Sequence, residues 1–471
     1  MDVLWRKPRD TTHLVDLLPE RCFTWKPDMD CDYLDLVPSS RPSDADWARF
    51  DVYARRVRAL SVERYARGAG LPMHWCAILD HFSGGQPFPR LRSLFWEWTP
   101  DYGCSHANFL LRPPLQELYI DDVDAKGVRN IIDVLPNCVL TLKYLRVSGL
   151  FRSEDEHEVA VRLWQALAEL QQLVDLDVSL YVPQAFRHLA SLSNLTKLHL
   201  PISSAHVEGT KALFPALKSL YVSVRTDMDA VAKLLQRMAL PVLERLRIDY
   251  HTYVVRGGAV LVRPPSTAHI HLVVREVSKL SLLRMFKLKG DQHIHSRSEP
   301  EEALDPSALS PLHALRDLET LDLSALAVEL TAADIGPMAR AWPRIQDLLL
   351  YQPHARMFGT RSPRDLQVSD LLPLAHLWPR LRELKLPLRI GPLAAPLDDG
   401  PELPVQSALE TLWAAKISRP ISTSALRVLA RTFPSARVKG YGHATDLVEA
   451  VNKAKKTLVD EVYGGPQDTD S

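Results

Sequence analysis

Along this chain one spacing of apolar residues keeps returning, apolar-x-x-apolar-x-apolar. Its clearest copies are LVDLDV from Leu173, LTKLHL from Leu195, LKSLYV from Leu217 and LERLRI from Leu243. LRMFKL (Leu283), LETLDL (Leu318), IQDLLL (Ile345), LRELKL (Leu381) and LETLWA (Leu409) follow, and weaker copies start earlier at Val57, Leu91, Leu115 and Leu142. These thirteen copies start 22 to 40 residues apart, with a mean of about 29. In the second half of each copy apolar and polar positions alternate, the period of a short strand buried on one side. Between copies the period becomes helical. The stretches Glu156 to Gln172, Asp227 to Leu240 and Thr331 to Trp342 each gather their apolar residues on one face, the last behind a Thr331 cap. Strand, turn, helix and return is therefore the unit. A unit this short cannot bury its own leucines, so neighbours must stack, with a parallel sheet on one side and helices on the other.

Composition supports this reading. About 75 residues are leucine while aromatics make up only 7%, and 35 prolines outnumber 19 glycines, the reverse of average usage. The prolines fall where a helix must end ahead of a strand, as in Phe214-Pro215, Leu240-Pro241, Trp342-Pro343, Trp378-Pro379 and Phe433-Pro434. With 57 basic and 57 acidic residues the formal charge is zero, which argues against nucleic acid or a membrane surface as partner, because both select a basic stripe. The five cysteines are scattered and never spaced as CxxC, so a reducing cytoplasmic or nuclear setting is expected. Met1 to Asp10 has no apolar signal-peptide core, and no apolar run reaches the length of a spanning helix.

The repeated motif resembles the leucine-rich repeat family over Asp51 to Gly440. That resemblance implies an α/β solenoid of about 13 irregular repeats, with a curved parallel sheet on the concave side and helices on the convex side. One departure stands out: the family's Asn or Cys column past each strand is missing, and those places read Ser203, Thr226 and Pro353. The first twenty residues do not carry the repeat. Through Asp2, Val3, Leu4 and Trp5, then Leu14, Leu17, Leu18 and Pro19, they are similar to the segment that follows an F-box in fungal F-box proteins with leucine-rich repeats. This implies the substrate-receptor part of a Skp-cullin-F-box ubiquitin ligase. The Skp adaptor is then a partner if an F-box lies upstream of Met1, whether through a truncated gene model or not at all if the module was lost. The expected organisation is an N-terminal cap over 1–50, a solenoid over 51–440, a capping helix over 441–463 and a disordered tail over 464–471.

Chemistry-bearing motifs are scarce. There is no GxSxG elbow, GxxxxGK[ST] loop, GxGxxG after a strand or HExxH, so neither an enzyme nor a cofactor is expected. The pairs His269/His271 and His293/His295 could each share one strand face, as metal ligands do, but no third ligand lies near and they read as ordinary histidines. Cys22 with Cys31 and Asp30 reads as ordinary thiols, and Gly84-Gly85 as a turn.

The remaining signal lies in what the repeat leaves outside. The fourth and sixth motif positions enter the core, so the third and fifth face away from it. In order, these are Asp175 and Asp177, Lys197 and His199, Ser219 and Tyr221, then Arg245 and Arg247, a run from acidic through aromatic to basic. Phe95, Tyr119 and Arg146 precede it, and Asp322, Asp347, Glu383, Lys385 and Trp413 follow. Tyr, Trp and Arg dominate interface hot spots. The expected function is non-catalytic recognition of a protein target on the concave face by a monomer, through Asp175, Asp177, Lys197, His199, Tyr221, Arg245 and Arg247. The alternative is a free-standing leucine-rich repeat scaffold with no ubiquitin role, or a solvated face on which neighbouring charges merely neutralise each other.

Overall fold

A computed structural model describes residues 17, 23–27, 32–36, 43–62, 81, 86, 88–97, 110–111, 114–149, 156–179, 185–202, 211–224, 228–250, 253–256, 259–262, 266–290, 304–324, 326, 328–350, 366–390, 405–414, 416–417, 423–440 and 445–463. The chain divides into two compact units, Met1–Pro201 with Glu208–Leu217, and Ile202–Val207 with Lys218–Ser471.

The first unit carries a parallel ladder of six strands: β1 (Ala59–Val62), β2 (Ser93–Glu97), β3 (Glu117–Asp121), β4 (Tyr144–Val147), β5 (Asp175–Val178) and β6 (Lys197–Ile202), whose final Ile202 belongs to the second unit. The second carries eight: β7 (Ser219–Val224), β8 (Arg245–Tyr250), β9 (Met285–Gly290), β10 (Thr320–Asp322), β11 (Asp347–Leu349), β12 (Glu383–Lys385), β13 (Thr411–Ala414) and β14 (Arg437–Gly440). Each of the first thirteen begins two residues after the first apolar residue of its motif. With helices joining successive strands along one face, each unit is an α/β leucine-rich repeat stack. β14 is one strand more than the thirteen motif copies. Its copy opens on Ser435 rather than an apolar residue, and buried Ala436 and Val438 do the packing instead.

One backbone step locks successive repeats. The carbonyl at the second motif position accepts two N–H groups, from the second and third positions of the next repeat. Arg58 takes Arg92 (2.7 Å) and Ser93 (3.0 Å), Glu244 takes Arg284 (2.8 Å) and Met285 (3.0 Å), and Arg382 takes Glu410 (2.8 Å) and Thr411 (3.0 Å). Register follows, and with it burial: Leu176 and Val178, Leu246 and Ile248, and Leu384 are fully buried, whereas Asp175, Asp177, Arg245 and Arg247 are not. Each buried leucine contributes about 1.5–3 kcal/mol.

The helices agree with the periodicity and are shorter than those stretches by five, four and two residues. They run Glu156–Leu167, Met228–Arg237 and Ala332–Ala341. Thr331 caps the last through a reciprocal box with Asp334, whose carboxylate accepts from the Thr331 N–H (2.8 Å) and hydroxyl (2.6 Å). Trp342 and Trp378 end their helices at ψ near 67°, outside the helical range, as a following proline requires. Both indoles are buried and donate one repeat back, Trp342 Nε1 to the Leu312 carbonyl (2.9 Å) and Trp378 Nε1 to that of Ala339 (3.1 Å). At the same place in the following repeat, Gln406 donates to the Trp378 and Leu381 carbonyls, at 3.0 Å each. Tryptophan and glutamine therefore tie repeats together here, where the family's Asn column is missing.

Some expectations are corrected. His269 and His271 lie in the helix Thr267–Val277, not on a strand, and a two-residue spacing sends helical side chains to different sides. Among the described residues no group of three His, Cys, Asp or Glu could hold a metal, and no helix is long and apolar enough to cross a membrane. His293, His295, Cys22, Cys31, Asp30, Gly84 and Gly85 lie outside the described residues, as do Ser203, Thr226 and Pro353.

The last helix, Thr445–Tyr463, lies against β14. The Asn452 amide pairs with both backbone groups of Val438, accepting its N–H (2.9 Å) and donating to its carbonyl (2.8 Å). Beside it Lys455, 5% exposed, donates to the Pro434 (2.7 Å) and Ala436 (2.6 Å) carbonyls, and burial pushes its pKa down to about 8.

Trp378→Phe removes a buried donor and should cost about 1–3 kcal/mol in chemical unfolding, with secondary structure by circular dichroism unchanged. For Lys455, the unfolded chain binds the extra proton between pH 8 and its ordinary value of 10.5, so stability should rise with pH across that window. Comparing wild type with Lys455→Met isolates the effect, and the rise should be absent in the variant.

Candidate functional site

The face of each ladder opposite the helices is lined by the third, fifth and, on longer strands, seventh motif positions. The seven residues singled out in the sequence fall on both units. Asp175, Asp177, Lys197 and His199 lie in the first, and Tyr221, Arg245 and Arg247 in the second.

In the first unit, cross-strand register sets the pairs. Lys197 stands opposite Asp175 and His199 opposite Asp177. The Lys197 ammonium is 3.2 Å from the Asp175 carboxylate, and His199 Nδ1 is 2.7 Å from that of Asp177. Arg146, on the adjacent strand, bridges Asp177 (3.6 Å) and Asp121 (3.4 Å), and the Ser148 hydroxyl donates to Asp121 at 2.6 Å. Burial raises the Tyr119 phenol above its ordinary pKa, and the Glu117 and Asp175 charges add to it, so Tyr119 stays a neutral donor at physiological pH. On this face five carboxylates, Glu97, Glu117, Asp121, Asp175 and Asp177, outnumber the cations Arg146 and Lys197.

In the second unit, the centre is Asp249, a seventh-position residue on β8. Arg247, two residues earlier on the same strand, grips it with two N–H groups, Nε at 2.9 Å and Nη2 at 2.6 Å, and the Tyr221 hydroxyl donates to the same carboxylate. The guanidinium lies over the Tyr221 ring, 4.8 Å from its centroid. Burial alone would raise the Asp249 carboxyl, but the hydrogen bonds from Arg247 and Tyr221 and the nearby cations hold it below its ordinary value. The hydrogen bond to Asp249 in turn raises Arg247. Tyr221 and Arg247 therefore form one rigid unit with Asp249. Arg245 is exposed, and no side-chain partner stands beside it among the described residues.

Further along the second unit Trp413 donates its indole N–H to Glu383 (2.8 Å) and is flanked by two ammonium groups, Lys439 at 5.2 Å and Lys385 at 5.7 Å from the ring centroid. Lys385 is only 8% exposed, and burial lowers its pKa. Thr320 donates to Asp347 at 3.1 Å. Sequence reasoning missed Asp249, Lys287, Lys289 and Lys439. Lys287 was legible as the fifth position of LRMFKL, and Asp249 as a further step of the alternation in LERLRIDY. Lys439 sits on the strand that lacks the opening apolar residue.

No protein-family model and no curated protein matches the chain. Among solved structures it is similar to an internalin, inlF, from Listeria monocytogenes, at 14% identity over 83% of this chain and 89% of that one, with a TM-score of 0.38. A leucine-rich repeat protein of Leptospira interrogans matches at 14% identity over 71% and 92%, with a TM-score of 0.27. Rad7 in its complex with Elc1 from yeast matches at 13% identity over 60% and 76%, with a TM-score of 0.29.

A double-mutant cycle between Asp249→Ala and Arg247→Met should give a coupling of about 1 kcal/mol or more at neutral pH, measured by chemical unfolding. Because Asp249 is held below its ordinary pKa, the coupling should fade as pH falls through the carboxylate range and the charge is lost.

Proposed function

We propose that this chain is a non-catalytic recognition module in which the outward sheet face binds a protein target. What supports the reading is that face itself: side chains fixed in rows by the backbone register, with Tyr221, Arg247 and Asp249 pre-arranged and Arg245 exposed beside them. Rigid aromatic and arginine side chains lose little entropy on binding, which is what an interface anchor requires. On this reading Asp175, Asp177, Lys197 and His199 offer oriented polar contacts on the face of the first unit, and Tyr221, Arg245 and Arg247 are the anchors on that of the second.

The finer proposal is a substrate receptor of a Skp-cullin-F-box ubiquitin ligase. It rests on the run from Asp2 to Pro19 alone. Within that run only Leu17 lies among the described residues, where it is buried. Arg245→Glu should abolish capture of the target while leaving the stability to unfolding within about 0.5 kcal/mol, as exposed-face changes do. A capture profile that Arg245→Glu leaves unchanged would place binding elsewhere. Affinity capture of the protein from cells tests the ligase part: without the Skp adaptor in the captured set, that part fails and a free-standing scaffold remains.

A further inference from the structure

The fifth-position row of the second unit has a sign. Across β8 to β14 it reads Arg247, Lys287, Asp322, Leu349, Lys385, Trp413 and Lys439. Four cations share it with a single carboxylate, but Lys385 is buried like that carboxylate and Arg247 is held by Asp249, so Lys287 and Lys439 are the cations this row presents. Asp322 is 4% exposed, accepts the Ser324 N–H at 3.1 Å and lies 3.8 Å from Lys289. Lys287 is half-buried and has no ion-pair partner among the described residues, and the contact Lys439 makes is with the Trp413 ring.

We propose that this row is a docking track for an acidic, extended protein segment that also carries an apolar residue. The proposal rests on the recognition reading above and names its partner chemistry. Parallel strands lie about 4.8 Å apart, so the six steps from Arg247 to Lys439 span about 29 Å. An extended chain advances about 3.3 Å per residue, and about nine residues laid across the strands cover the row. Carboxylates on such a segment meet Lys287 and Lys439, and an apolar side chain meets Leu349 and the exposed part of Trp413. A polynucleotide fits less well. Its phosphates need an unbroken basic stripe, whereas the adjacent third-position row presents Asp347 and Glu383.

The test uses the full chain and a fluorescein-labelled peptide of about nine residues, alternating glutamate and serine around a central phenylalanine. Anisotropy should show binding that weakens as salt rises and is absent for the same peptide with lysine in place of glutamate. Lys287→Glu with Lys439→Glu should weaken it at least about tenfold, with Lys287→Gln and Lys439→Gln intermediate and the unfolding midpoint unchanged. Absence of binding, or binding indifferent to the charge reversals, overturns the proposal. So does a single-stranded DNA oligonucleotide of equal charge that binds as tightly. If the probe fails while target capture still depends on Arg245, this inference falls and the recognition reading stands. If neither responds to changes on the face, both fall.

Discussion

Everything on the outward face depends on one backbone step, the second-position carbonyl that accepts two N–H groups from the next repeat. It uses no side chain. Arginine, glutamine, lysine, valine and glutamate all occupy the position. The loops between repeats can therefore vary widely in length while the strands keep register. Because a strand shifted by one residue would turn its leucines outward, the buried leucines enforce the same register independently. The two constraints agree in both units, and together they place each charged side chain opposite a particular partner on the next strand.

In two repeats a proline and a tie between repeats go together. In the repeats around Trp342 and Trp378 the residue before proline cannot remain helical, so the chain turns there and carries a large side chain inward. Its indole N–H then bonds a carbonyl of the preceding repeat. In these repeats the tie lies on the helix side of the stack.

Much of the fold was legible because it rests on short-range periodicity. Thirteen strands start where the motif predicts, and Thr331 caps the helix that its spacing with Asp334 suggests. The fourteenth escaped because Ser435 and Ala436 stand where a leucine belongs. The face was legible only in part. Its row memberships follow from alternation, but which charges meet depends on strand length, and β8 runs two residues beyond the six-residue motif. That extension brings Asp249 to Tyr221 and Arg247 and fixes those two side chains in one network. The acidic-to-basic run was visible as a list of residues. The quenching of Asp175 by Lys197 and of Asp177 by His199 and Arg146 was not, because it needs residues 22 or more positions apart to stand side by side.

A parallel ladder has no natural end, and its last strand offers unsatisfied donors and acceptors to any passing chain. Here a single amide supplies what another strand would have supplied, since Asn452 presents one acceptor and one donor to Val438. Termination is thus a local property of the last helix and β14, independent of how many repeats come before. Repeats can be duplicated or lost upstream while the stop at Val438 stays intact, so the array can change its reach and keep the same closure.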